Sequence, residues 1–157
     1  MPKLFNTPFE VSLRILLILS AVKPRSITID RIAAYDLMTV YGRDFGIAEQ
    51  NLHGENQFSF SELPAKREQL NGALRSLVLD GFISVAPSPG GFLFGLNDRG
   101  RDFARSMQSE YAATYVETVK KTHRMLGKTS DASLLSKITN QAMDELKRRW
   151  MDGRNIF

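Results

Sequence analysis

The sequence contains no cysteine, so it can form neither a disulfide framework nor a thiolate site for a metal or a nucleophile. Histidine is almost as scarce, because His53 and His123 are the only two. No group of Asp, Glu and His residues has the spacing of a metal site, and no acid pair marks a catalytic centre. The sequence therefore predicts a protein that is not an enzyme and uses no metal or cofactor.

Long hydrophobic runs are also missing. The longest apolar run near the start covers residues 15–19, far short of the about 20 residues that a membrane span needs. Glu10 and Arg14 interrupt this N-terminal apolar stretch, which argues against a secretory signal peptide. Together with the lack of cysteine, which suits a reducing compartment, this predicts a cytoplasmic protein with no membrane segment.

Charge is plentiful but unevenly placed. Residues 1–97 carry nine Lys or Arg and nine Asp or Glu, so this part is neutral overall. Residues 98–157 carry twelve Lys or Arg against eight Asp or Glu, which accounts for the whole net charge of +4. The basic excess is thus expected in the C-terminal helices.

The first predicted helix starts at Pro8, with Thr7 as its N-cap and Glu10 three residues after the cap. Its apolar residues form two stripes, one of Phe9, Leu13, Leu16 and Leu17 and one of Val11, Ile15, Ile18 and Val22. A helix that is apolar on two faces is either a central core helix, which we favour, or a helix that keeps one stripe for a partner. In the second interpretation, Val11, Ile15 and Ile18 bind the partner.

Three further elements follow in the N-terminal half. A second helix, with Thr28 or Asp30 near its cap, ends at Gly42, and a long loop covers residues 42–61. The segment "SELPAKREQLNGALRSLVLDGF" predicts an amphipathic helix with Gly81 at its end, and "FISVA" and "FLFGL" predict a two-strand hairpin. This order of elements is typical of a winged helix-turn-helix.

Two helices are predicted after the hairpin. Asn97 or Asp98 caps the first of them, and an apolar row at every fourth residue from Phe103 to Val119 predicts one long helix that ends before Gly127. The last helix starts after Ser130 or Asp131, with these residues facing inward: Leu134, Leu135, Ile138, Ala142, Leu146 and Trp150. The two helices are expected to pack as a hairpin against the first helix.

The predicted fold class is therefore mainly α with a small β-hairpin, a winged helix-turn-helix followed by a C-terminal helical pair. Residues 1–107 form the predicted winged-helix domain, with the long loop at 42–61 and the wing at 82–97. Residues 108–157 form a C-terminal helical extension that packs on this domain.

The predicted wing is unusual for a DNA-binding protein, because no Lys or Arg lies between Asp80 and Asp98. A wing that grips phosphates needs cations, since counterion release supplies the sequence-independent affinity. This wing instead carries Phe92, Leu93 and Phe94, and strand alternation can bury only about half of such residues. We interpret these three residues as a contact for another protein.

The amphipathic helix keeps a nucleic-acid interpretation open. Its outer face is predicted to show residues of the types that reach phosphates and base edges: Lys66, Arg67, Gln69, Asn71 and Arg75. Glu62 and Glu68 partly cancel their charge. Three interpretations remain: an ordinary solvated helix face, a DNA-reading helix, or a partner-binding face.

Several motifs stand together within residues 1–86: "FNTPFEVSLR", Asp30-Arg31 with Tyr35-Asp36, residues 42–46, Leu52-His53, and Glu62-Leu63 with Arg67. In these motifs the N-terminal part of the chain resembles the middle component of bacterial ABC-three-component systems. The combination of these elements is fairly specific, whereas none is specific alone.

This resemblance implies a small winged-helix subunit that partners a large SMC-like coiled-coil ATPase and an effector, often a nuclease, in a Lamassu-like anti-phage or anti-plasmid defence complex. The small subunit of such systems has no catalytic motif, and DNA contact is expected mainly through the complex. The alternative is a stand-alone winged-helix transcriptional regulator that dimerises through its C-terminal helices and reads an operator with Arg67, Asn71 and Arg75. A hydrolase or nuclease subunit is the weakest alternative, because the sequence shows no acid pair or metal set.

Overall fold

A computed structural model describes residues 7–54 and 59–151 of the chain. The described part contains these helices: α1 (Pro8–Val22), α2 (Ile29–Val40), α3 (Leu63–Leu79), α4 (Asp98–Ser106), α5 (Glu110–Leu126) and α6 (Asp131–Met151). A short 3-10 turn (Ser59–Ser61) precedes α3. Strands β1 (Ile83–Ala86) and β2 (Leu93–Leu96) form an antiparallel hairpin between α3 and α4. The predicted mainly helical fold with one small hairpin is confirmed.

The helix starts follow the local capping chemistry of the sequence. The Thr7 hydroxyl accepts a hydrogen bond from the Glu10 N–H at 3.2 Å, as predicted. For three other helices the sequence left two candidate N-caps each. In the structure the side chains of Thr28, Asn97 and Ser130 are the ones that accept a hydrogen bond, from the N–H groups of Arg31, Gly100 and Ser133 respectively. These ends are therefore set within single turns of the chain.

The predicted long helix after the hairpin is wrong. Met107 has an extended conformation, with φ −82° and ψ 101°, and ends α4. The Ser109 hydroxyl then caps a new helix by accepting from the Ala112 N–H at 3.1 Å. The regular apolar row did not show this break, because Met107 and Tyr111 on either side of residues 108–109 both pack against the core. Gly127 ends α5 as predicted.

Helix α1 lies at the centre of the fold and packs against α2, α3, α4 and α5. Val11, Ile15 and Ile18 are at most 2 % exposed and belong to one continuous apolar core. The core interpretation of this helix is thus the right one, and the hypothesis that these three residues bind a partner is wrong for the folded chain. A partner would have to open the core to reach them.

One buried carboxylate joins four helices, an arrangement that we call the Asp36 cluster. Asp36 on α2 binds Arg14 of α1 through Nε at 2.9 Å and Nη2 at 3.2 Å, and Lys66 of α3 through Nζ at 3.1 Å. The Tyr115 hydroxyl of α5 donates to the same carboxylate. Burial would raise the pKa of Asp36, but the charges of Lys66 and Arg14 outweigh it and hold that pKa well below its usual range.

Lys66 corrects one sequence expectation. It was predicted on the outer face of the amphipathic helix, yet it is only 4 % exposed. The side chain lies inside because the fully buried Asp36 attracts it, and its apolar stem can cross the core to reach that carboxylate. Helical periodicity could not show this, because a lysine counts as polar in any such pattern.

Arg31 fastens the turn between α5 and α6 to α2. It donates from Nε to Asp131 at 2.7 Å, from Nη1 to the Leu126 carbonyl at 3.2 Å, and from Nη2 to the Thr129 carbonyl. Helix α5 packs against α1 and α2, as expected of the C-terminal helices, whereas α6 packs mainly against α2 and the 3-10 turn.

Replacing Asp36 by Asn should destabilise the protein by about 3–5 kcal/mol, because Arg14 and Lys66 would remain buried without their counter-charge. Urea denaturation followed by circular dichroism measures this. Asp30→Asn is the matched control: Asp30 pairs with the largely exposed Arg67, so its loss should cost less than about 1 kcal/mol. Equal losses in the two variants would show that the four helices do not depend on the Asp36 cluster.

Candidate functional site

The hairpin places apolar side chains on one face in a continuous line. Its register pairs Ile83 with Leu96 and Val85 with Phe94. Because side chains alternate along a strand, these four residues share one face, and Phe92 directly precedes β2, two residues before Phe94. We call this row of Ile83, Val85, Phe92, Phe94 and Leu96 the apolar ladder.

The apolar ladder emerges from the core into solvent. Ile83 is 3 % exposed, Val85 43 % and Phe92 61 %. The predicted contact residues Phe92, Leu93 and Phe94 therefore differ: Phe92 is on the surface, whereas Leu93 and Phe94 are half-buried. Val85 is not among the predicted contact residues, although strand alternation from the buried Ile83 would have placed it on this face.

The hairpin is fixed to the body of the protein on two sides. Phe94 exchanges two backbone hydrogen bonds with Ile27, of 2.8 and 3.0 Å, so that the segment between α1 and α2 lies beside β2. On the other side α4 approaches so closely that a Cβ on Gly100 would lie 2.1 Å from the Phe82 carbonyl oxygen. The exposed part of the apolar ladder is thus presented on a rigid support.

Helix α3 shows less charge to solvent than its sequence suggests. Lys66 is withdrawn into the Asp36 cluster, and Arg67, which is 59 % exposed, pairs with Asp30 at 2.9 Å. Gln69, Asn71 and Arg75 are exposed as well and take part in neither of these two ion pairs. Three cations were predicted on this face: Lys66, Arg67 and Arg75. Of these three, only Arg75 is exposed and forms no ion pair with another described residue.

A groove of about 510 Å³ runs between α2, α3 and α6. Arg67 and Asn71 line one wall. The rest of its surface is largely apolar and includes Ile29, Leu63 and Leu135. The predicted nucleic-acid face therefore borders an apolar groove, which makes it a poor match to a phosphate backbone.

The second half of α6 differs from the prediction. Leu134 and Ile138 are buried as expected, but Leu146 and Trp150 are exposed, Trp150 by 68 %. Glu145 and Arg149 occupy the inner face instead, as an i,i+4 pair at 3.5 Å. The reason is helical geometry: residues 138, 145 and 149 fall on one face, from which 146 and 150 are rotated by about 100°.

The long predicted loop is folded against α5 where the structure describes it; residues 55–58 lie outside the described residues. His53 Nε2 lies 2.7 Å from the Tyr111 hydroxyl, and the Lys121 ammonium donates to the Ile47 carbonyl at 2.6 Å. Burial, with a smaller effect of the Arg14 charge, lowers the pKa of His53 to about 3. His53 is thus a hydrogen-bonding residue of the loop.

The titratable groups with strongly shifted pKa values lie inside the structure. Asp36 and Tyr115 are completely buried, and burial raises the pKa of Tyr115 well above its ordinary value. These groups bind one another across helices and do not line an open cleft. Within residues 7–54 and 59–151, no cluster of three or more His, Asp or Glu residues could hold a metal ion, and no helix there is long and apolar enough to cross a membrane.

Comparison with known proteins gives one match. The model of a family described as ABC-three component (ABC-3C) system Middle Component 2 matches residues 4–148 of the chain. This match extends beyond the region of the sequence resemblance and includes α5 and most of α6. No significant match was found among curated proteins or solved structures.

We expect the stability of the protein to fall as the pH falls from about 6.5 to about 4. The lowered pKa of His53 means that the folded state binds fewer protons than the unfolded state there, so acid favours unfolding, by on the order of 3 kcal/mol. Chemical denaturation at a series of pH values measures this slope. His53→Gln keeps a hydrogen-bonding partner for Tyr111 without a titrating group, so it should remove most of the slope.

The pKa of His123 is also lowered, chiefly by burial, and this residue supplies the slope that remains in His53→Gln. An unchanged slope in His53→Gln would contradict the assignment.

Proposed function

The chain belongs to the Middle Component 2 family of ABC-three-component systems, and on that premise we propose that it is a non-catalytic adaptor subunit. It joins an SMC-like coiled-coil ATPase to an effector of nuclease type in a cytoplasmic, Lamassu-like defence complex against phages or plasmids. A middle component of a multi-component system has protein partners, and these must bind to one of its surfaces.

The observation that carries the proposal is the apolar ladder. Val85 and Phe92 continue a core-facing row into solvent, on a hairpin in which residues 81–97 contain no charged side chain. A surface of this kind loses little hydration energy on binding a protein and gains apolar burial. Aromatic anchors such as Phe92, held by a rigid support, are typical of the residues that dominate protein interfaces.

The proposal of a wing rests on the position of the hairpin in the fold. It follows α1, α2 and α3, and the two backbone hydrogen bonds to Ile27 add a third chain segment beside β2. In this winged-helix interpretation, the wing reads a protein surface and α3 serves mainly to pack the core.

The proposal of a non-catalytic role is supported by what the shifted groups do. Strongly perturbed pKa values often mark catalytic sites, but structural ion networks produce them as well. Here Asp36 binds three side chains from three helices, and His53 binds Tyr111, so each has a packing role. A stand-alone regulator is less well supported, since Lys66 and Arg67 are engaged with Asp36 and Asp30.

The adaptor is tested by purifying the tagged chain from its own host at native expression level and identifying the proteins that co-purify. We expect an SMC-like ATPase and one effector in fixed ratio to the chain. Recovery of the chain alone, as a dimer bound to one specific operator sequence, would favour the regulator instead.

The interface is tested with Phe92→Asp in the same purification. A charge on this exposed side chain should lower recovery of a partner by at least about tenfold, because a buried unpaired carboxylate opposes the interface. The control is Ser84→Asp, which adds the same charge to an exposed position on the opposite face of the hairpin. Both variants should melt close to the native protein, and equal recovery of partners by both would exclude the apolar ladder as the interface.

A further inference from the structure

Four exposed cations lie at or next to the two segments that the Arg25–Gly127 hydrogen bond joins, the one between α1 and α2 and the turn between α5 and α6. They are Lys23, Arg25, Arg124 and Lys128, and we call this surface the basic corner. The sequence brings them from two regions about 100 residues apart. None of them belongs to the α3 face that the sequence suggested for nucleic acid.

The basic corner is held together by hydrogen bonds between these two regions. The Arg25 guanidinium donates through Nη1 to the Gly127 carbonyl, which places Arg25 beside Lys128. Arg31 binds the carbonyls of Leu126 and Thr129, on either side of Gly127. The cations are therefore carried by a fixed part of the fold.

The charges of the basic corner have no ion-pair partner within the part of the chain that the structure describes. The acidic groups closest in sequence are already bound: Asp131 accepts from Arg31 at 2.7 Å and from the Thr28 hydroxyl at 2.6 Å. Glu117, two turns before Arg124, lies 3.7 Å from Lys120. This differs from α3, where Arg67 has its own carboxylate.

Part of this positive charge affects the pKa of His123. Its Nδ1 lies 2.9 Å from the Tyr35 hydroxyl, next to the basic corner. Burial lowers the pKa of His123, and the charges of Arg25 and Arg31 lower it further. One of the two charges that act on His123, that of Arg25, thus belongs to the basic corner.

We propose that the basic corner binds the phosphate backbone of nucleic acid without regard to sequence. Clustered exposed cations that release counterions from a polyanion supply this kind of affinity. The exposed hydroxyl of Ser130, two residues after Lys128, is of the type that donates to phosphate oxygens. An anionic membrane would also require exposed apolar side chains to insert, and among the exposed residues of segments 23–26 and 124–130 only Pro24 and Met125 are apolar.

This inference is independent of the adaptor proposal, because the basic corner and the exposed end of the apolar ladder are different surfaces. The family resemblance implies DNA contact mainly through the complex. The basic corner instead places a nucleic-acid site on the subunit itself.

The test is fluorescence anisotropy of a short labelled DNA duplex of arbitrary sequence, titrated with the full chain at about 50 mM salt and upward. Four phosphate contacts predict that the logarithm of the binding constant falls against the logarithm of salt concentration with a slope of about −3 to −4. A parallel titration with an RNA hairpin distinguishes the two sources of the same backbone chemistry.

The deciding variant combines Lys23→Glu, Arg124→Glu and Lys128→Glu, and leaves Arg25 in place to hold the turn. Binding should weaken by at least about tenfold and the salt slope should flatten by about 3. The matched control combines Arg75→Glu, Arg105→Glu and Lys147→Glu, which changes the net charge equally on exposed positions of α3, α4 and α6. This control should keep most of the binding.

Three results would overturn the proposal: no binding by the native chain at low salt, equal weakening in both triple variants, or tighter binding to phosphatidylserine vesicles than to DNA. Thermal melting checks that each variant is folded. If the glutamate triple variant does not fold, the corresponding glutamine triple variant replaces it, and it must show the same direction of loss.

Discussion

The structure depends on one buried carboxylate. Asp36 receives a guanidinium, an ammonium and a phenol from three different helices, and each donor reaches it from a separate direction. Burying such charges costs several kcal/mol each, so the cluster is better understood as fixing how the helices meet than as a source of stability. Any other rotation of α1, α3 or α5 would leave a charge or a phenol unsatisfied in the core.

The Asp36 cluster also determines which side chains of α3 are exposed. Because Lys66 points inward, α3 is rotated so that Arg67 meets Asp30 and Asn71 borders the groove beside α6. The motifs that carry the family resemblance, Asp30-Arg31, Tyr35-Asp36 and Leu52-His53, contain the residues that bind across elements in this way. They therefore identify the fold of the family, while the residues proposed for partners lie in the hairpin, outside those motifs.

The sequence was sufficient wherever structure is local. The caps of α1, α2 and α4 and the turn at Gly81, where φ is +83°, follow from residues within one turn of each other. The inward position of Lys66, the outward position of Trp150 and the break before Ser109 were not predicted. The positions of Lys66 and Trp150 depend on a distant partner or on the rotation of a helix against its neighbours, which periodicity within one segment does not contain. The break has a local signal, the Ser109 cap, which was overlooked because the apolar row continues across it. The apolar, uncharged composition of residues 81–97 located the hairpin in the sequence. The strand register in the structure then added Val85 to the residues of its apolar face.

The short segment between α1 and α2 contacts both the hairpin and the turn between α5 and α6. Ile27 is bonded to the backbone of the hairpin, and Arg25, two residues earlier, is bonded to the turn between α5 and α6. Two residues of extended chain are too short to stretch appreciably. A partner that displaces the hairpin would therefore also displace the α5–α6 turn, so the two surfaces are mechanically coupled.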